Sequence, residues 1–293
     1  MDTVTDRLSD VVPSAESRVG YLLRLSRPRF WLYLGGPVIV AVAYAADGPA
    51  DLFSPLAVAL FLYFTLPANV FLYGVNDVFD ADVDEHNPKK DEGREVSYRG
   101  DRVALAVVVL SGVLALAFLP WLPPLGVLAL LAWGALSVEY SAPPFRFKTT
   151  PFLDSLSNGL YILPGVVAYA AIEGVAPPAT AVAGAWLWTM GMHTFSAIPD
   201  IEPDREAGIR TTATFLGESN TYYYCVMTWL LAAFVFTYTH WAFGLVLLLY
   251  PGLVFGILAV GVDIDEAYWW YPAINTLVGT VFTLGGLWVM LYG

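Results

Sequence analysis

A succession of long apolar runs constrains this chain more than any other feature. Runs near the ~17–25 residues that a helix needs to cross a bilayer can be drawn at 30–46, 54–75, 103–119, 121–140, 155–173, 179–198, 222–240, 241–262 and 268–291. The expected fold is therefore all-α: a polytopic membrane protein of nine transmembrane helices, with the tightest joints at Pro120 to Pro124 and at His240 to Trp241. Charged residues are 14% of the chain, against about 25% in soluble domains, which agrees with a bilayer as the solvent. Residues 1–20 are polar and lack an apolar core, so they are expected to be a loose tail rather than a signal peptide. Residues 21–293 then form one transmembrane domain.

The distribution of basic residues gives an orientation. With nine spans, Arg7, Arg18, Arg24, Arg27 and Arg29 precede the first helix. Lys89, Lys90, Arg94, Arg99 and Arg102 follow the second, Arg146 and Lys148 the fourth, and Arg205 and Arg210 the sixth. All fourteen basic residues fall on one side, which the positive-inside rule makes cytoplasmic, together with the N-terminus. The long connections lie there too and are expected to cap the bundle with its chemistry. The net charge of -12 and the shortage of lysine suggest a salt-loving source and argue against nucleic acid as a partner. Cys225, the single cysteine, excludes an internal disulfide.

Directly after the second run comes Asn76-Asp77-Val78-Phe79-Asp80-Ala81-Asp82-Val83-Asp84. If the helix continues, each residue advances about 100 degrees, so Asp77, Asp80 and Asp84 share a face and Asp82 falls opposite. Crowded carboxylates raise one another's pKa unless a cation neutralises them. With Asn76 beside them and no His or Cys, the donor set suits Mg2+. After the sixth run, Asp200-Ile201-Glu202-Pro203-Asp204-Arg205 places Asp200 and Asp204 four apart, again one helical face, although a proline inside a helix can break it. Two such clusters invite a diphosphate held between them by Mg2+.

Tyr140-Ser141-Ala142-Pro143-Pro144-Phe145-Arg146-Phe147-Lys148 lies on the same side. Arg146 would meet phosphate oxygens through a planar fork and Lys148 as a point charge; Arg27, Arg99 and Arg205 are further candidates. If the diphosphate ester is allylic, its departure leaves a carbocation that aromatic faces stabilise and a dry pocket protects. His193 is expected to be a packed core residue, Asn69 to face a bundle interior, and Trp269, Trp270 and Tyr271 to form an interfacial belt.

Taken together, Asn76-Asp77-x-x-Asp80-x-x-x-Asp84, the Tyr140 to Lys148 segment, and Asp200-x-x-x-Asp204 followed by Gly208, Thr211, Thr212 and Gly217 resemble the UbiA superfamily of intramembrane prenyltransferases. The resemblance implies that Asn76, Asp77, Asp80, Asp84, Asp200 and Asp204 bind Mg2+ and a prenyl diphosphate. It also implies that the four aspartates Asp77, Asp80, Asp200 and Asp204 are catalytic, and it matches Tyr140 and Lys148 to the intervening motif. An arginine-rich continuation common in the family is replaced here by His86-Asn87-Pro88-Lys89-Lys90. Ser26 to Leu34, Asn76 to Lys90 and Tyr140 to Pro144 are similar to the lycopene elongases of carotenoid synthesis, including the haloarchaeal elongase/hydratases that lead toward bacterioruberin. That similarity implies dimethylallyl diphosphate as donor, lycopene as the lipophilic acceptor, and water or proton loss to quench the product cation. The alternatives are digeranylgeranylglyceryl phosphate synthesis, quinone-pathway aromatic prenyl transfer, and a cation transporter, which would carry its carboxylates deep within the spans.

Overall fold

The computed structural model describes Pro13, residues 16–84 and residues 98–292, with backbone only for 81–84. Most of the expected tail, His86 to Lys90 and Arg94 lie outside the described residues. Among the described residues there is no strand. The helices are α1 Arg18–Leu25, α2 Trp31–Ala45, α3 Pro55–Thr65, α4 Pro67–Asp84, α5 Arg102–Val113, α6 Pro124–Glu139, α7 Leu153–Ser157 and α8 Leu163–Glu173. They continue as α9 Ala179–Ser196, α10 Ile201–Glu206, α11 Thr212–Leu216, α12 Glu218–Thr237, α13 Trp241–Leu247, α14 Leu249–Val260 and α15 Ile264–Tyr292.

Every apolar run drawn from the sequence coincides with a helical stretch, but several are jointed. Five stretches are long and apolar enough to cross a membrane: Pro49–Asp80, Arg102–Trp121, Leu153–Glu173, Trp241–Val260 and Ile264–Tyr292. α2 and α6 are shorter, and α9 and α12 carry Thr, His, Asn or Glu among their apolar residues. The outward faces are rich in exposed apolar side chains such as Leu110, Leu128, Leu258 and Leu284, as a multi-pass membrane protein requires.

The run at 54–75 is broken at Pro67, which has no N–H to continue the ladder. The fully buried Asn69 side chain turns back and donates through Nδ2 to the carbonyls of Phe64 and Thr65, both at 2.9 Å. α4 therefore starts in a fixed direction and runs unbroken through the first acidic motif. The last helix begins at Ile264 rather than 268, with Asp265 and Glu266 in its first turn, where the helix dipole favours acid. Of the aromatic group near its start, Trp270 is exposed, whereas Tyr271 is buried against Phe195, ring centroids 4.5 Å apart; it is core rather than belt.

Two apolar cores flank a central cavity. The first joins α2, α3, α4, α6 and α8, with Trp133 buried edge-on against Phe64 at 5.3 Å. The second joins α9 and α12 to α15 around Trp229, whose ring lies 5.3 Å from that of Tyr250.

Candidate active site

Because α4 stays helical through the motif, Asp77 and Asp80 lie one turn apart. Asp77 is buried at 1% exposure, and Arg27 Nη2 reaches its Oδ1 at 3.1 Å. Asp80 receives Arg146 Nη2 at 3.1 Å and also Lys148 Nζ. Both arginines hold left-handed backbone, φ 49° at Arg27 and φ 43° at Arg146, and each opens a short 3-10 turn. This conformation is uncommon outside glycine and costs of order 1–3 kcal/mol. The same strained device thus delivers one arginine to each carboxylate. Asn76 Nδ2 donates to Ser141 Oγ at 2.9 Å, which ties α4 to the turn where Lys148 N donates to Tyr140 O at 3.0 Å.

The second motif is built differently from a helix end. α9 stops at Ser196, and Asp200 caps the separate short helix α10, where Asp204 N donates to Asp200 O at 2.8 Å. Pro203 falls within the first turn, where an N–H would have no intrahelical partner, so it starts the helix rather than breaking it. Arg205 is paired with Glu202 at 2.6 Å on a half-exposed surface. Arg99 lies over the Tyr21 ring at 5.0 Å, and burial raises that phenol above its ordinary range. The side chain of Asp84 is outside the described residues. Among the described residues, no three Asp, Glu, His or Cys side chains converge on a point that could hold an ion. Asp77 and Asp80 are balanced individually by cations instead. The donors on α4 are nonetheless all hard oxygens, and Asn76, donating through Nδ2, keeps its amide oxygen as an acceptor. Such a set fits Mg2+ by type.

Arg27 and Asn76 also line a cavity of about 680 Å³, within the usual ligand-pocket range of roughly 300–1,000 Å³. Its wall is mostly apolar with many aromatic side chains, among them Tyr33, Tyr73, Tyr161, Trp188, Phe243 and Tyr268, and Arg27 is its one Arg, Lys, Asp or Glu among the described residues. Tyr33 meets Tyr161 edge-on at 6.0 Å. An anion-holding end therefore opens onto a long apolar, π-rich space, an arrangement suited to a lipophilic substrate with a charged head.

One buried carboxylate belongs to neither acidic motif of the sequence. Asp154, fully buried, accepts from Thr212 N at 2.8 Å and from Thr212 Oγ1. His193 Nε2 lies 3.9 Å from Asp154 Oδ2 and 3.4 Å from the Tyr140 hydroxyl. His193 thus stands at the cavity wall rather than in the packed core expected of it. The available signal was an isolated aspartate at the mouth of an apolar run, which is costly to bury and so usually functional.

Residues 34–271 match the UbiA prenyltransferase family. The chain is 82% identical over 289 residues to the lycopene elongase/hydratase of Haloarcula japonica, a match spanning 99% of this chain and 98% of that protein. It is 65% identical over 276 residues to the lycopene elongase/hydratase of Haloferax volcanii, spanning 94% and 91%. The structure of a UbiA homolog from Archaeoglobus fulgidus bound to DMAPP and Mg2+ superposes with a TM-score of 0.66 over 93% of this chain and 99% of that one; at 21% identity this is a likeness of fold.

Proposed function

Since the chain belongs to the UbiA prenyltransferase family, we propose that this enzyme transfers a dimethylallyl group from dimethylallyl diphosphate to lycopene, with hydration of the product, on the way to C50 carotenoids of the bacterioruberin type. The observation that carries the reading is that Arg27, the one Arg, Lys, Asp or Glu among the described residues that line the cavity, contacts Asp77, while Arg146 and Lys148 contact Asp80 one helical turn away. The diphosphate would take over hydrogen bonds now made to Asp77 and Asp80, and the freed carboxylates, with Asn76, Asp84, Asp200 and Asp204, would hold Mg2+. When bound, the metal supplies positive charge to the departing diphosphate. The aromatic wall faces the allylic cation and keeps water from it, while the acceptor alkene lies along the apolar length. A phosphorylated glycerol ether would need further cations along the cavity, and among the described residues Arg27 is the one Arg or Lys in its lining. The names of the relatives at 82% and 65% identity support a carotenoid acceptor over an aromatic one.

Product analysis tests the reading. Membranes containing the protein receive Mg2+ and labelled dimethylallyl diphosphate, with lycopene or 4-hydroxybenzoate; a third arm pairs labelled geranylgeranyl diphosphate with geranylgeranylglyceryl phosphate. Label is expected in C45 and C50 carotenoids only, and EDTA should stop its incorporation. Transfer confined to another acceptor would remove the carotenoid assignment, and EDTA-resistant transfer would remove the metal.

A further inference from the structure

We infer that His193 is the base that takes the proton from the water quenching the product cation, with Asp154 as its charge partner. The inference rests on the carotenoid reading above. When the terminal alkene of the acceptor attacks the allylic carbon, a C–C bond forms at the less substituted alkene carbon, the diphosphate leaves, and a tertiary cation remains on the neighbouring carbon. A hydroxylated product requires that a water oxygen bond to this carbon and give up one proton. Charge and atoms then balance with no oxidant or reductant, but the proton needs an acceptor inside an apolar cavity.

Among the described residues, the lining contains phenols, amides, hydroxyls and one guanidinium, with no Asp, Glu or Lys. None of those groups accepts a proton readily near neutral pH, whereas an imidazole does. Among the described residues His193 is the one imidazole in that wall, and its side chain is 19% exposed. Its Nε2 faces oxygen on two sides, the Tyr140 hydroxyl at 3.4 Å and Asp154 Oδ2 at 3.9 Å. The carboxylate can only accept, so it favours the tautomer with the proton on Nε2 and Nδ1 as the basic atom, while the hydroxyl suits either tautomer. Nδ1 makes no hydrogen bond to any described residue. Asp154 is held in place by the Thr212 backbone and hydroxyl, so a buried negative charge stands ready to stabilise the imidazolium once it forms. Asp154 acts through His193 and is a positioning residue, as is Tyr140 in this step.

The test compares wild type with His193→Gln and His193→Asn in membranes supplied with Mg2+, lycopene, dimethylallyl diphosphate and H2(18)O. It reads the fraction of elongated carotenoid that carries an (18)O hydroxyl. The fraction is expected to fall about tenfold or more in both variants, replaced by an anhydro product formed by proton loss from carbon. Asp154→Asn, which keeps an oxygen for Thr212, should show a smaller fall in the same ratio; an effect on total yield without a change in ratio would be a purely structural one. An unchanged hydroxyl fraction in the histidine variants would overturn the inference and make the departing diphosphate the base. Absence of any elongated product from either variant, with the protein present and folded in the membrane, would also overturn it by placing His193 in the transfer step. A wild type that makes no elongated carotenoid would overturn the functional reading, and a wild type that elongates without adding (18)O would overturn the inference alone.

Discussion

Asp77 and Asp80 are three residues apart on one helix face but stand in different surroundings. The Asp77 side chain is 2% exposed with Arg27 against it, and the Asp80 side chain is 15% exposed with Arg146 and Lys148 against it. Asp77→Ala removes the carboxylate that Arg27 contacts and with it a candidate metal donor, so transfer should fall about 100-fold or more while the protein still accumulates in the membrane. Near-normal turnover would sink the site. Lys148→Ala removes the charge-assisted contact to Asp80, worth about 1.5–3 kcal/mol, so its effect should be about a 10- to 150-fold rise in KM for the donor, with kcat less affected. Steady-state kinetics separate the two outcomes. The spacing of Asp77 and Asp80 was legible because a helix makes residues three apart into neighbours. Arg27 and Arg146 were legible as cations beside the motif, though not their left-handed backbones. Arg205 shows where adjacency misleads: it follows Asp204 in sequence, yet its partner three residues back, Glu202, takes its guanidinium. The pairing of His193 with Asp154 joins residues 39 apart across packed helices, and no local pattern announces it.

At the scale of elements, the acidic motif is aimed by a break in the helix before it. Pro67 interrupts α3 and α4, and Asn69 satisfies two carbonyls near the break. The sequence marked Asn69 as a polar group that must face inward, but which carbonyls it would serve depends on the geometry of the kink. Asn69→Leu strands the Phe64 and Thr65 carbonyls in an apolar core at about 1–3 kcal/mol each. A clear loss of Tm in detergent is expected, together with reduced transfer as α4 swings, and an unchanged Tm would show that the joint does not depend on the amide. The packing of α9 on α12 offers a second test. A Cβ at Gly191 would stand 2.6 Å from Trp229 Nε1, whereas one at Gly134 would meet nothing within 4 Å. Gly191→Ala should therefore cost about 1–3 kcal/mol through overpacking, and Gly134→Ala should be neutral or slightly stabilising because alanine is the better helix former. Equal melting of the two variants would contradict this packing. Since α9 carries His193, the Gly191 variant should also disturb the cavity wall.

For the whole molecule, apolar periodicity made an all-helical, membrane-crossing chain legible, while the joints at Pro67 and between α13 and α14 were not, because a kinked and a straight apolar run have the same hydropathy. Orientation follows from charge rather than from packing. Arg146 and Lys148 sit in the turn that closes on Asp80, so the side that gathers basic residues is the side that gathers the candidate site, and the proposed cytoplasmic face of one is the proposed face of the other. Phe145, at the tip of that turn, is 61% exposed, and Val175, in the connection between α8 and α9, is 58% exposed. Cys225 is fully buried, so the native thiol should be silent toward a membrane-impermeant maleimide. In intact cells Val175→Cys should be labelled, and Phe145→Cys should be labelled only after the membrane is opened. The reverse pattern would invert the topology and move the diphosphate site to the outer face, away from the cytoplasmic pool of prenyl diphosphates that the proposed reaction consumes.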